Sequence, residues 1–252
     1  MLHSLPDPDQ IEMPEPKSPW AVVDLIVFIV FFVLTVFLLP LGVMKIWRVF
    51  DPGLQITDLT AVDQLLLQGT MNLVLVGFIA FLIKVVHKES FLETIHWFRT
   101  PNFATGFLIA LGATLAISVL IASSFFPPTE PTPIEKLLSS TKAIYLFALF
   151  GVGVAPLFEE TIFRGFLFKV LSDIGGPGVA VPSTAILFAL LHVPQLWGSW
   201  AGVGLIFVVG YILSAIRQRS NSLIPSFIVH TSYNAMLFGV FAMSTFVQKG
   251  VR

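Results

Sequence analysis

The chain has 252 residues, 56% of them hydrophobic and only 12% charged, with a formal net charge of −1. A water-facing globular surface carries roughly 25% charged residues, so a soluble domain is excluded and the apolar surface left over must face lipid. A mean hydropathy of +0.88 agrees, the near-zero charge removes a basic field for nucleic acid, and the absence of cysteine removes disulfides, thiol nucleophiles and Cys-based metal sites.

Residues 1–18 are polar, acidic and interrupted by Pro, and read as a disordered tail. They lack the basic n-region of a signal peptide. The remainder, 19–252, reads as one transmembrane helical domain. Leu25–Met44 is the first uncharged tract, long enough to span at ~20 residues per crossing. Trp20 and Trp47 flank it at positions suited to interfacial aromatics. Leu65–Ile83 follows, with Gln68 and Asn72 expected to face other helices rather than lipid. Phe103–Phe126 is the third tract, stopped by Pro127 and Pro128, and a Pro-punctuated loop runs to Thr141.

The second half carries more polar punctuation. Ala143–Phe158 runs into Glu159 and Glu160, and a short segment around Thr161–Leu171 comes next. Gly175, Gly176, Pro177 and Gly178 predict a turn. Val179–His192, Ala201–Ile216 and Leu223–Val247 complete the set. The expectation is an all-α, polytopic bundle of about eight membrane segments, the fifth too short to span alone.

Titratable groups at membrane depth cost at least ~2.5–3.5 kcal/mol each on insertion scales, which makes them candidates for function. They gather in three places within residues 140–247. In Glu159-Glu160-Thr161-Ile162-Phe163-Arg164, the i,i+4 pair Glu160–Arg164 can close on one helix face. Glu159 is turned about 100° away and stays free. Burial raises a carboxyl's pKa towards the range of a general base. The second place is His192, which closes the run from Phe188. The third is His230 with Asn234, four apart on one face and able to donate to a developing oxyanion.

Each group also has an ordinary explanation: a solvated helix end, a structural donor, interhelical hydrogen bonding. One shared polar chamber explains all three together.

The ordered set E-E-x-x-x-R, F-x-x-x-H and H-x-x-x-N resembles the CAAX protease and bacteriocin-processing family, the Rce1-like or Abi membrane endopeptidases (CPBP intramembrane proteases). The resemblance implies that Glu159 and His192 activate a water, that His230 and Asn234 stabilise the tetrahedral oxyanion, and that Glu160 and Arg164 support the site. It implies a peptide or membrane-protein substrate within the bilayer, with prenylated C-termini among the candidates, and a glutamate mechanism needing no cofactor. Zinc stays open on ligand type, since Glu159, His192 and His230 are all legal ligands, although no H-E-x-x-H occurs. A G-x-S-x-G elbow is also absent. Two other classes stand beside the protease: a non-catalytic adaptor or bacteriocin self-immunity protein on the same scaffold, and a proton-coupled transporter using an intramembrane Glu–His relay.

Overall fold

The computed structural model describes residues 20–250 apart from 56–57, 99–102 and 139–140. The expected tail, residues 1–18, lies outside the described residues. Every regular element among the described residues is helical. Six helical stretches are long and apolar enough to cross a membrane: Val22–Phe50, Ala61–Val86, Thr105–Ser124, Ala143–Gly175, Trp200–Ser220 and Leu223–Ser244. Pro177–His192 is a seventh, shorter apolar helix. The chain is an integral, multi-pass membrane protein.

In chain order the α-helices are α1 (Val22–Phe50), α2 (Ala61–Phe81), α3 (Phe91–Thr94), α4 (Thr105–Ser124), α5 (Pro133–Leu137), α6 (Thr141–Leu149), α7 (Ala155–Glu160), α8 (Phe168–Gly175), α9 (Pro177–His192), α10 (Trp200–Ser220) and α11 (Leu223–Gly250). Side chains that face neither helix nor loop stay uncovered, as a lipid-facing surface requires. On α1 alone Val23, Phe37 and Leu41 are exposed.

The expected count of about eight resolves into these seven because two tracts are one. Residues 143–158 and 161–171 have no Gly–Pro break between them, so the helix runs on. It does so by widening twice into π turns, at Phe150–Val154 and at Thr161–Leu167. Such π insertions are rare and recur at functional sites. The first has a visible cause. The Ala155 N–H bonds back to the Phe150 carbonyl, and Pro156 has no N–H to offer. The Gly151 carbonyl is thereby left without a donor from either residue that would ordinarily serve it.

Close approaches hold the later helices together. An added Cβ at Gly112 of α4 would lie 2.4 Å from the Val229 carbonyl oxygen and 2.7 Å from Ser232 Cβ, so only glycine lets α4 and α11 meet this closely. Gly210 of α10 does the same against Phe188 and Ala185 of α9, where an added Cβ would lie 3.1 and 3.3 Å away. Small residues at contacts are how helices pack where lipid offers no hydrophobic drive.

The largest buried cluster includes Phe28 of α1, Ile79 of α2, Phe166 of the second π turn and Phe188 of α9. Trp20 heads α1 as expected but faces inward. Its ring stacks on His87 at 4.0 Å and meets Phe166 edge-on at 5.4 Å. His87 in turn lies 2.8 Å from Asp24, which fastens the start of α1 to the end of the second span.

Candidate active site

The end of α7 and the second π turn carry the acidic motif into the interior. Glu160 and Arg164 are both fully buried and paired at 3.0 Å. The i,i+4 expectation therefore holds across the junction between α7 and the wider turn. Arg164 has further partners. Its Nη2 donates to the Gly210 carbonyl at 2.9 Å, and its guanidinium lies 4.4 Å from the centre of the Phe188 ring. A cation over an aromatic face in a dry setting contributes up to about 2 kcal/mol.

His230 comes from α11 and reaches both carboxylates. Its Nδ1–H donates to Glu160 Oε1 at 2.9 Å, while Nε2 lies 3.6 Å from Glu159 Oε2. Because a carboxylate only accepts, the proton on Nδ1 is fixed, and Nε2 is the nitrogen turned towards Glu159. The side chain of Glu159 keeps 20% exposure where Glu160 has none. The neighbours in sequence thus differ as expected: one acid is braced in the wall and the other is accessible.

His192 stands at the end of α9. Its Nδ1–H donates to the Phe188 carbonyl at 2.7 Å, which leaves Nε2 as the free ring nitrogen. The Phe188 ring lies 4.5 Å from the ring of His192 and 5.8 Å from that of His230. The phenyl of the second motif is thus a common plate against which both imidazoles and Arg164 rest. Asn234, one turn beyond His230, donates from Nδ2 to the Gly151 carbonyl at 2.7 Å. That is the carbonyl orphaned by Pro156. A primary amide carries two N–H groups, so one remains for a ligand.

Glu159, His192, His230 and Asn234 all line one cavity of about 200 Å³. Glu160 and Arg164 lie behind its wall. Four side chains from α7, α9 and α11, more than seventy positions apart at the extremes, therefore converge. Among the described residues no three His, Asp or Glu side chains gather closely enough to form a metal-ligand set.

Gln68 of α2, expected to face other helices, also lines the cavity. Gln195 and Tyr233 line it too and were not singled out from the sequence. Arg217 of α10 is buried and donates from Nε to the Arg164 carbonyl at 3.0 Å. It thereby holds the main chain of the π turn. The available signal was a second Arg at helical depth; its partner, a backbone carbonyl in a widened turn, has none.

Residues 141–236, which contain all three motifs, match the family model described as Type II CAAX prenyl endopeptidase Rce1-like. The chain is also similar to the UPF0177 protein YxdF of Lactococcus lactis subsp. lactis (strain IL1403). That relative is 28% identical over 173 residues, which cover 68% of this chain and 90% of the relative. No solved structure matches. The resemblance read from the three motifs thus holds across residues 141–236: this stretch is similar to the Rce1-like CAAX endopeptidase family, in a chain built as a multi-pass membrane protein.

Proposed function

We propose that this protein is an intramembrane endopeptidase in which Glu159 and His192 activate a water for attack on a peptide carbonyl. The observation that carries this reading is the shared lining of one small cavity by Glu159, His192, His230 and Asn234. Glu159 is the accessible acid of the pair. It accepts a proton as water attacks, then delivers that proton to the leaving amine. His192 presents Nε2 to the same space and orients the water. Asn234 offers its second N–H to the oxyanion, with its first fixed on Gly151. His230 adds a donor from Nε2 when the ring carries a proton on each nitrogen. In a low-dielectric, preorganised pocket such donors count for more than in water.

The family resemblance makes C-terminal CAAX processing of prenylated proteins the first substrate class to assay. The test uses purified, reconstituted protein and quenched fluorescent peptides with and without a prenylated cysteine. Cleavage is expected in the wild type and is expected to fall about 10²–10⁴-fold in Glu159→Gln, the size of a lost general base. Unchanged cleavage in Glu159→Gln overturns the assignment of the base. A cellular phenotype indifferent to both Glu159→Gln and His192→Ala identifies the chain as a non-catalytic adaptor or immunity protein instead.

A further inference from the structure

The cavity that holds the four polar side chains measures about 200 Å³, below the roughly 300–1,000 Å³ of pockets that enclose a small ligand. A peptide cannot be housed there alone. Two further cavities adjoin it. One, of about 560 Å³, lies between the C-terminal end of α4, the start of α10 and the later turns of α11. It shares Leu196, Ile206, Tyr233, Leu237 and Phe238 with the catalytic cavity, and its lining is largely apolar. The other, of about 360 Å³, lies against α2 and shares Gln68, Phe147 and Gln195 with it. A single residue, Ile134, lines all three.

Ile134 belongs to α5, the short helix in the loop that joins α4 to α6. A capping box fixes the start of that helix, with Thr132 and Glu135 exchanging hydrogen bonds. The Ile134 N–H donates to the Gln195 carbonyl at 3.2 Å. The loop is thereby tied to the segment just after His192, and α5 roofs the junction of the three spaces. On the α2 side, Gln68 and Gln195 present side-chain amides that make no hydrogen bond to protein among the described residues. A primary amide both donates and accepts, as a peptide main chain does.

We infer that the substrate lies as an extended peptide beneath α5, a large apolar side chain on one flank of the cleaved bond filling the 560 Å³ chamber while Gln68 and Gln195 hold the main chain on the other flank. Ile134 divides the two flanks. The inference rests on the endopeptidase reading above for which bond is cut, but the path of the chain is tested without turnover.

The experiment has a binding arm and a kinetic arm, both on full-length protein in liposomes. In the first, Glu159→Gln protein is photo-cross-linked to decapeptides carrying benzoylphenylalanine at successive positions. Cross-links from positions on one side of a central bond are expected on α4, α10 and α11 around the chamber. Those from the other side are expected on α2 around Gln68. Cross-links confined to one cavity, or scattered over the lipid-facing helices, overturn the inference. In the second arm, quenched peptides differ only in Ala, Leu or Phe at the chamber-facing position. Leu205→Trp, which fills the chamber from a position that does not line the catalytic cavity, is expected to lower kcat/KM for the Phe peptide about tenfold and to leave the Ala peptide within about twofold. Leu120→Trp, which lines the chamber from α4, serves if that variant fails to fold. Gln68→Leu is expected to raise KM roughly fivefold for every peptide at unchanged kcat. Equal effects of the Trp variants on all three peptides overturn the inference. Correct cross-links in a wild type that cleaves none of the peptides support the cleft and overturn the peptidase reading.

Discussion

The Nδ1 of His230 donates to Oε1 of Glu160 at 2.9 Å, and Arg164 donates to that same oxygen at 3.0 Å. One buried carboxylate oxygen thus joins α11 to the π turn beyond α7 and orients the imidazole whose far nitrogen faces Glu159. Several measurable consequences come from this arrangement and its surroundings.

Arg164→Leu leaves Glu160 as an uncompensated buried charge. The expected destabilisation is about 3–5 kcal/mol, seen as a lowered midpoint in thermal unfolding in detergent. The double variant Glu160→Leu with Arg164→Leu removes both charges and is expected to recover most of that midpoint, with cleavage still lost because His230 has no acceptor at Nδ1. A double variant no more stable than Arg164→Leu contradicts this account.

Pro156→Ala supplies an N–H beside the Gly151 carbonyl, where it competes with Asn234. Thermal stability is expected to hold, since the carbonyl keeps a donor whether Asn234 or the residue at 156 supplies it. Activity is expected to fall by up to about 100-fold, the scale of a 1 Å misplacement of a catalytic donor. Activity equal to wild type removes the first π turn from the positioning of Asn234.

Gly112→Leu forces a side chain into the Val229 carbonyl of α11, where even a Cβ would lie at 2.4 Å. Overpacking of this kind costs about 1–3 kcal/mol or more. Because α11 carries His230 and Asn234, peptide cleavage is expected to fall with the melting midpoint, whereas Gly112→Ala loses less of both. Separate scans of midpoint and rate across the two variants check the correlation.

His96 lies outside the spans, in the loop after α3, and its Nδ1–H donates to the Asn221 carbonyl at 3.1 Å. Burial first, and then the charge of Arg217, hold its pKa below the usual histidine value. The unfolded chain therefore takes up a proton more readily than the folded one. Stability is present above the unfolded value near 6.5 and declines as pH falls below it towards the folded pKa. His96→Gln is expected to flatten the dependence of the unfolding midpoint on pH between about 5 and 7. An unaltered slope in that variant rejects His96 as its source.

The convergence of the motifs was legible because charge in an apolar tract is conspicuous: Glu159, Glu160, Arg164, His192 and His230 are costly at membrane depth unless they meet. Helix periodicity alone gave the Glu160–Arg164 pair. The joining of residues 143–158 to 161–171 was not legible, because π turns leave no compositional mark and two charged residues look like a helix end. Gln68 was expected to face other helices and does, but its place beside a cavity whose Glu159 lies 91 and whose Asn234 lies 166 residues later has no local signal. Trp20 reads as an interfacial anchor from its position and is instead packed on His87, a pairing across 67 residues that periodicity does not encode.

The hold on Asn234 has an unusual kind of robustness. Its acceptor is main chain, so no change of side-chain chemistry at position 151 can abolish the carbonyl; only a shift of the backbone, or a proton restored at 156, takes it away. One imino acid five residues downstream thus guards a polar contact that spans 83 positions, and the contact can be undone by a change at a residue that is neither its donor nor its acceptor.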